Sequence, residues 1–173
     1  TITIEGDEIT AIGVDVDQHQ SYPQSAPCMI TNATKGLQKS VSDQIEAIAA
    51  GTFDSLFLNW NDELTECTVS NLFLVSGGTL HTPALACGIL DGITRAIVMT
   101  LAEEEGLPVR EGRYQIADLR RAEECFLTNT SMEIMPVSRV DSFAIGDGRP
   151  GSLTRRLQTR FADSRTRFLE PTS

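Results

Sequence analysis

Residues 66–73 read E-C-T-V-S-N-L-F, and two shorter blocks follow them closely along the chain. The first is L-H-T at residues 80–82, and the second is L-D-G-I-T-R at residues 90–95. Each block alone is a weak signal, because short patterns recur by chance in unrelated proteins. Together they form the ordered pattern E-x-T-x-x-N-L-F, L-x-T, L-x-G-I-x-R, which is specific because three blocks must occur in one order at tolerated spacings.

This ordered pattern resembles the signature of the class IV, or fold type IV, pyridoxal-phosphate enzymes. That family includes the branched-chain and D-amino-acid aminotransferases and aminodeoxychorismate lyase. The resemblance runs nearly continuously from about residue 35 to about residue 161, and it includes E-I-M-P-V at residues 133–137 and G-D-G-R-P-G at residues 146–151. It implies an α/β fold of mixed helices and strands, namely the large C-terminal domain of a fold-type IV enzyme, with pyridoxal 5'-phosphate (PLP) as cofactor.

Family members also carry a smaller N-terminal domain, which supplies an arginine to the cofactor phosphate and much of the substrate pocket. Nothing before Lys35 resembles that domain. We therefore expect residues 1–30 to be a linker remnant with short strands and residues 31–173 to be the PLP-binding large domain. The small N-terminal domain is expected to be absent from this chain.

The chain has two lysines, Lys35 and Lys39, that could carry the cofactor. Lys35 opens the sequence K-G-L-Q, which resembles the family's K-S-L-N stretch, and it lies 31 residues before Glu66. Gln38 replaces the usual Asn, and the distance is slightly shorter than usual, which implies a small deletion. Lys39 has no matching context. The resemblance implies that Lys35 is the catalytic Schiff-base lysine, whereas an ordinary surface lysine is the alternative.

Glu66 and the G-I-T turn at residues 92–94 are the next candidates. A carboxylate among apolar residues is costly to bury unless it is paired, and the resemblance implies that Glu66 bonds the cofactor's ring nitrogen. A helix beginning near residue 93 would offer free N–H groups and a positive dipole end to a phosphate. The resemblance implies that Ile93 and Thr94 bind that phosphate. The alternatives are an exposed Glu66 and an ordinary helix start capped by Asp91.

The turn T-N-T-S at residues 128–131 resembles the family's T-G-T-A or S-S-T-T turn. The resemblance implies that Thr130 contacts the phosphate and that Thr130 and Ser131 meet the substrate carboxylate. Asn129 stands where a small residue is usual, which could reshape the substrate pocket. A plain polar turn between a strand and a loop is the alternative. We interpret the motif residues Asn71 and Arg95 as structural.

These implied roles predict an aminotransferase that moves an amino group between an amino acid and a 2-oxo acid. An aminodeoxychorismate lyase is an alternative that uses the same parts, although T-S-M-E at residues 130–133 is closer to the transaminase run T-A-A-E. A second alternative is a non-catalytic PLP-binding fragment that needs a partner domain. For the enzyme we expect a homodimer, a cytoplasmic location and a role in amino-acid metabolism.

Composition excludes several other classes. The net charge is −10, and the first 34 residues contain no Lys or Arg, which argues against a nucleic-acid surface. No apolar run approaches the roughly 18 residues of a membrane span, so no membrane association is expected. Four cysteines without a CxxC pair and two isolated histidines predict no metal site.

Hydrophobic periodicity and turn residues predict the order of elements along the chain. The predicted strands lie at residues 2–4, 9–15, 55–58, 69–75, 79–82, 107–110, 125–128 and 137–140, and the predicted helices lie at 41–50, from 93 to Gly106, at 117–124 and after 151, with Leu153, Leu157, Phe161 and Phe168 facing inward. Strands outnumber helices, and hairpins alternate with helical crossovers. This order predicts a single mixed α/β domain.

Overall fold

The computed structural model describes residues 2–5, 8–12, 28–35 and 54–169, with side chains placed from residue 54 to residue 164. The strands are β1 (Ile2–Glu5), β2 (Glu8–Ile12), β3 (Cys28–Lys35), β4 (Asp54–Leu58), β5 (Leu64–Cys67), β6 (Asn71–Ser76), β7 (Thr79–Pro83), β8 (Val109–Gly112), β9 (Glu124–Asn129), β10 (Glu133–Val140) and β11 (Phe143–Ala144). The helices are α1 (Ile93–Glu104), α2 (Ile116–Arg121) and α3 (Ser152–Leu169), with a 3-10 turn at Leu85–Cys87. The expected mixed α/β class is confirmed.

Nine of these strands form one sheet, and β1 and β2 form a separate antiparallel hairpin. Six strands of the large sheet close into a ring in the order β10-β3-β4-β5-β6-β9, because β9 pairs with both β6 and β10. Strand β3 runs parallel to both of its neighbours, β10 and β4, while the other pairs of the ring are antiparallel. Strands β7 and β8 extend the sheet outward from β6.

Strand β6 is buried on both faces, so successive side chains enter two different cores. Leu72 and Leu74 point into a cluster formed largely by the ring strands. Phe73 and Val75 point to the other face, where they pack with residues of α1 and α3. Phe73 stacks on Phe126 of β9 with ring centroids 5.0 Å apart, and burying each such ring stabilises the fold by roughly 1.5–3 kcal/mol. This two-sided burial explains why the run N-L-F-L-V has no polar alternation.

Helix α1 follows the predicted 3.6-residue period. Val98, Leu101 and Ala102 are fully buried on one face, and Val98 and Ala102 join the Phe73 cluster. The helix ends at Glu104, and Gly106 follows it with a φ of 70°, in the left-handed region that favours glycine. The N-terminus of this helix therefore has a fixed position over the sheet.

Helix α3 begins against a carboxylate from the sheet. Glu124, the first residue of β9, accepts hydrogen bonds from the backbone N–H of Leu153 at 3.0 Å and of Thr154 at 2.8 Å. The hydroxyl of Thr154 donates to the same side chain at 2.7 Å. A Cβ at Gly151 would overlap the Glu124 side chain, so glycine is required for this close approach.

Several predicted boundaries were wrong. The helix predicted at residues 117–124 ends at Arg121, because Ala122 takes an extended backbone conformation and leads into β9. The strand predicted at residues 69–75 begins at Asn71, and β10 begins at Glu133 rather than at residue 137. The other predicted strands from residue 54 onward lie within two residues of the observed ones.

Strands β3, β5 and β11 were not predicted from the sequence. The predicted boundary between residues 30 and 31 falls inside β3, which pairs with both β10 and β4. The helix predicted at residues 41–50 lies outside the described residues, as does the side chain of Phe168. No helix in the described part of the chain is both long and apolar enough to cross a membrane.

Candidate functional site

A pocket of about 460 Å³ opens where three segments of the chain meet. Its walls come from residues 66 and 68–71 around the β5–β6 hairpin, from residues 90 and 92–94 at the start of α1, and from residues 128–132 after β9. Five predicted site residues line it, namely Glu66, Ile93, Thr94, Thr130 and Ser131. The pocket therefore joins segments that are far apart in sequence, and each contains a part of the predicted site.

Glu66 is a buried carboxylate in β5, with 4% of its surface exposed. It does not begin the strand predicted at residues 69–75, but pairs across the hairpin with Asn71 at the start of β6. The Nδ2 amide of Asn71 donates to Glu66 Oε2 at 3.1 Å and to the carbonyl of Leu90 at 2.9 Å. Asn71 thus joins the carboxylate to the loop before α1, in agreement with its structural interpretation.

The start of α1 is left without a side-chain cap. Gly92 occupies the N-cap position in an extended conformation, and no side chain among the described residues caps the first helical N–H groups. Asp91 instead pairs with Arg95 at 3.4 Å, so the alternative in which Asp91 caps the helix is wrong. Thr94 is buried and Ile93 is 77% exposed, and both line the pocket. Uncapped N–H groups at a helix N-terminus provide a site for an anionic group.

Gly92 is required here by a close approach rather than by a special backbone angle. A Cβ at this position would overlap Oδ1 of Asn71. Glycine therefore lets the loop before α1 pack directly on the amide that holds Glu66. Gly92 of the third block and Asn71 of the first block are therefore in direct contact with each other.

Arg95 fixes the second motif block to the third. Its side chain is 3% exposed and donates to Thr82 Oγ1 at 3.4 Å and to the Pro83 carbonyl at 3.1 Å. It also forms an ion pair with Glu111. The Thr82 hydroxyl donates in turn to the carbonyl of Leu72 in β6 at 2.9 Å. Arg95 therefore ties the start of α1 to strands β7 and β6, which agrees with its structural interpretation.

The rim of the pocket is a turn after β9 that one side chain organises. Asn129 Oδ1 accepts the backbone N–H of Ser131 at 3.0 Å and of Met132 at 2.7 Å. Its Nδ2 donates to the hydroxyl of Ser70 at 3.0 Å, and that hydroxyl donates to Asp54 Oδ2 at 3.2 Å. Thr130 and Ser131 are exposed at this rim.

The sequence analysis did not identify Asp54, which accepts the last of these hydrogen bonds from Asn129 through Ser70. It is 1% exposed, and its Oδ1 accepts the N–H of Ser55 at 2.8 Å and of Thr68 at 2.9 Å. Ser70 and Thr128 were missed as well. The signal available for Asp54 was a carboxylate directly before an apolar strand, which is too common to indicate a site without the fold.

Two buried hydroxyls in the pocket wall have no hydrogen-bond partner within the described part of the chain. The Oγ1 atoms of Thr68 and Thr128 have no hydrogen-bond partner among the described residues, and both residues line the pocket. A buried hydroxyl without a partner destabilises the fold by about 1–3 kcal/mol. Such atoms suit a ligand that supplies the missing bonds. Glu66 is the one charged residue among the described residues of the lining.

Lys35 is placed by its backbone register. It is the last residue of β3 and pairs with Leu58 of β4, which pairs with Leu64 of β5. At a strand spacing of about 4.8 Å, β3 and β5 lie roughly 10 Å apart across the sheet. One strand, β4, therefore lies between the strand that ends at Lys35 and the strand that carries Glu66. Lys39 lies outside the described residues.

A second buried glutamate lies three residues before Glu66 and has different surroundings. Asn59 Nδ2 donates to Glu63 Oε2 at 2.7 Å, and Arg113 Nη1 donates to both carboxylate oxygens at 3.0 Å. These hydrogen bonds, from Asn59 first and then from Arg113, lower the pKa of Glu63. Burial, followed by the charge of Glu63, raises the pKa of the Cys87 thiol nearby. Among the described residues, no group of three His, Cys, Asp or Glu side chains is arranged to hold a metal ion.

Comparison with known proteins agrees with this geometry. Residues 14–140 match the family model of amino-transferase class IV. The branched-chain-amino-acid aminotransferase of Escherichia coli K12 is 35% identical over 159 residues, which cover 90% of this chain and 51% of that protein. The D-alanine aminotransferase of Listeria monocytogenes 10403S is 34% identical over 131 residues, which cover 76% of this chain and 43% of that protein.

The fold has the same relatives. The crystal structure of the branched-chain amino acid aminotransferase from Thermobaculum terrenum, in its PLP form, superposes with a TM-score of 0.74 at 29% identity, covering 80% of this chain and 51% of that one. The chain spans about half the length of the relatives that it matches. With the family model matching well over half of its residues, the chain belongs to the class IV aminotransferase family.

Proposed function

We propose that this chain forms the PLP-binding part of an aminotransferase, which transfers an amino group between an amino acid and a 2-oxo acid. The observation that carries the proposal is the pairing of a buried carboxylate, Glu66, with the uncapped start of α1 in one pocket. The first suits a protonated ring nitrogen and the second suits a phosphate. The names of the relatives, branched-chain and D-alanine aminotransferases, support it.

The residues present fit PLP. Glu66 would accept a charge-assisted hydrogen bond from the ring nitrogen, and the backbone N–H groups of Ile93 and Thr94 would hold the phosphate, with the hydroxyls of Thr94 and Thr130. The hydroxyl of Thr128, which has no hydrogen-bond partner among the residues that the structure describes, offers one further donor in the same pocket. PLP, when bound, supplies an electron sink for the pair of electrons left at the substrate Cα.

The chain's own residues then have separate tasks. Glu66 would accept a hydrogen bond from the ring N–H and so stabilise the protonated form of that nitrogen. The Nζ amine of Lys35 would hold the cofactor covalently at rest, and as a free amine it would carry the proton from the substrate Cα and deliver it back. Thr130 and Ser131, exposed at the rim, orient the substrate through its carboxylate. Orientation of the Cα bond and exclusion of water are what the surrounding walls contribute.

A further cation completes the site in this proposal. A phosphate carries close to two negative charges at neutral pH, and the described residues of the lining include no Lys or Arg. We propose that the cation comes from a small domain or from a second copy of the chain in a homodimer. On that basis the described walls alone bind PLP weakly. Cys67, Cys87 and Cys125 form no disulfide among the described residues, and we propose a cytoplasmic enzyme of amino-acid metabolism, in a compartment where thiols stay reduced.

Covalent trapping tests the proposal. The purified protein is incubated with PLP, treated with borohydride and weighed by mass spectrometry. We expect a stable adduct in the wild type and in Lys39→Ala, and none in Lys35→Ala. Adduct loss in Lys39→Ala alone would mean that the other lysine carries the cofactor. In the same preparation, the visible absorption band of bound PLP should bleach when an amino-acid donor is added, whereas a band that persists with every donor would favour binding without turnover.

A further inference from the structure

Two successive backbone N–H groups at the pocket rim point at one oxygen of the chain itself. Asn129 Oδ1 lies 3.0 Å from the nitrogen of Ser131 and 2.7 Å from that of Met132. Consecutive N–H groups that converge in this way form a concavity that binds anions. Here the concavity is filled by a neutral amide oxygen.

The orientation of the Asn129 amide follows from the groups around it. The Ser70 hydroxyl has one proton, which it donates to the buried carboxylate of Asp54. Ser70 can therefore only accept from Asn129, so the –NH₂ group must face Ser70 and the oxygen must face the two N–H groups. Asp54 is itself fixed by the N–H groups of Ser55 and Thr68. A buried carboxylate thus sets the position of the oxygen at the rim.

We propose that Asn129 determines the affinity of the site for carboxylate substrates, because its Oδ1 competes with the substrate carboxylate for the N–H groups of Ser131 and Met132. This inference rests on the proposed function, in which the rim turn meets that carboxylate. A substrate gains these two bonds only by displacing the asparagine oxygen, and it must also break the Asn129–Ser70 bond if the side chain swings away. Asn129 therefore lowers the affinity for 2-oxo acids and amino acids below what the bare turn would give.

Two variants of Asn129 distinguish competition with the substrate carboxylate from a role in which Asn129 only stabilises the turn. Asn129→Ala removes the competing oxygen and frees both N–H groups. Asn129→Asp keeps an oxygen on both N–H groups and adds a negative charge that repels an anion. The purified protein is labelled with ¹⁵N, and sodium pyruvate is titrated while the amide signals of Ser131 and Met132 are followed, without PLP and with it.

We expect Asn129→Ala to tighten pyruvate binding roughly three- to tenfold, the equivalent of about one hydrogen bond, and to speed hydrogen exchange at both amides. Asn129→Asp should weaken pyruvate binding relative to wild type. Opposite shifts in the two variants support competition. If both variants weaken binding, or neither changes it, Asn129 merely supports the turn and the inference is wrong.

Ser70→Ala is the control for the hydrogen bonds that link Asn129 through Ser70 to Asp54. It removes the acceptor for Asn129 Nδ2 but leaves the oxygen on the two N–H groups, so exchange at Ser131 and Met132 should stay slow. If Ser70→Ala gained as much pyruvate affinity as Asn129→Ala, the effect would come from the Asn129–Ser70 hydrogen bond, and the proposed competition would be wrong. Because the titration without PLP needs neither cofactor nor turnover, its result is independent of the borohydride test of the proposed function.

Discussion

Glu63 and Glu66 are two glutamates of one hairpin, both nearly buried, with 9% and 4% of their surfaces exposed. Their surroundings differ. Glu63 is closed off by Arg113 and by the amide of Asn59, so its charge is balanced by a neighbouring side chain. Glu66 is held by the amide of Asn71 and lines the 460 Å³ pocket.

Under the proposed function, only one of these two buried carboxylates meets the cofactor, so burial alone does not distinguish them. A buried charge is costly unless it is compensated, and a protein can compensate it from within, as at Glu63, or at the wall of a site where a ligand contributes. The pocket, rather than the depth of burial, separates the two residues. Substituting each glutamate by the uncharged isostere tests this distinction directly.

The largest effect is expected from Glu66→Gln in the reconstituted enzyme. Loss of one charge-assisted bond to the cofactor ring is worth roughly 1.5–3 kcal/mol, which slows transamination about ten- to a hundredfold. The loss is measured as the single-turnover rate at saturating PLP. Under that condition a weaker affinity for PLP does not appear as a slower transamination step.

Glu63→Gln is the matched control for that experiment, because the same chemical change is made three residues away and outside the pocket lining among the described residues. Its turnover should stay within about twofold of wild type. Equal losses in the two variants would show that the hairpin as a whole, and not the carboxylate facing the pocket, had been damaged.

The sequence predicted which residues lie close together better than it predicted the bounds of the strands. The motif blocks indicated Glu66 and Thr94, the T-N-T-S turn indicated Thr130, and the fold places these residues around one pocket, while their individual roles remain predictions. The blocks succeed because each couples to another through a direct contact, as Asn71 does with Gly92. Such contacts constrain residue types at fixed positions.

Strand β5 was not predicted because all four of its residues are buried. Its sequence therefore lacks the alternation of polar and apolar residues that indicates a strand. The bonds from Asp54 to Ser70 and from Ser70 to Asn129 span 16 and 59 residues of sequence. The longer of these two bonds depends on the pairing of β9 with β6, which no local sequence pattern contains. Fold class followed from the motif, whereas the network that fixes the rim required the structure.

A smaller effect is expected from Gly92→Ala, which alters the support of Glu66 without changing its charge. The added Cβ would overlap Asn71 Oδ1, so the amide or the loop must shift, at a cost of about 1–3 kcal/mol. We expect PLP affinity to fall about tenfold, as measured by equilibrium titration of the absorption band.

The double variant Gly92→Ala with Asn71→Ala tests the cause of that loss. If the clash with the Asn71 side chain is responsible, the added methyl group has no further effect once that side chain is gone. The double variant should then bind PLP as Asn71→Ala does. Additive losses would assign the effect of Gly92→Ala to the backbone of the helix start instead.

The smallest effect belongs to Glu63 and concerns stability in acid. Its pKa is lowered from the ordinary value of 4.5 by Asn59 and Arg113, so the folded protein binds the proton less readily than the unfolded chain. The stabilisation is therefore complete above about pH 4.5 and is lost as the pH falls through the lowered pKa. In urea titrations, wild type should exceed Glu63→Gln in stability near neutral pH, and the two should converge in acid. Arg113→Gln removes a charge and a hydrogen bond that lower the pKa of Glu63 and leaves the hydrogen bonds from Asn59 and Asn61, so its loss of stability should begin at a higher pH than in wild type. Parallel curves for wild type and Glu63→Gln down to pH 3 would show that the ion pair, unlike the carboxylate in the pocket, contributes nothing measurable.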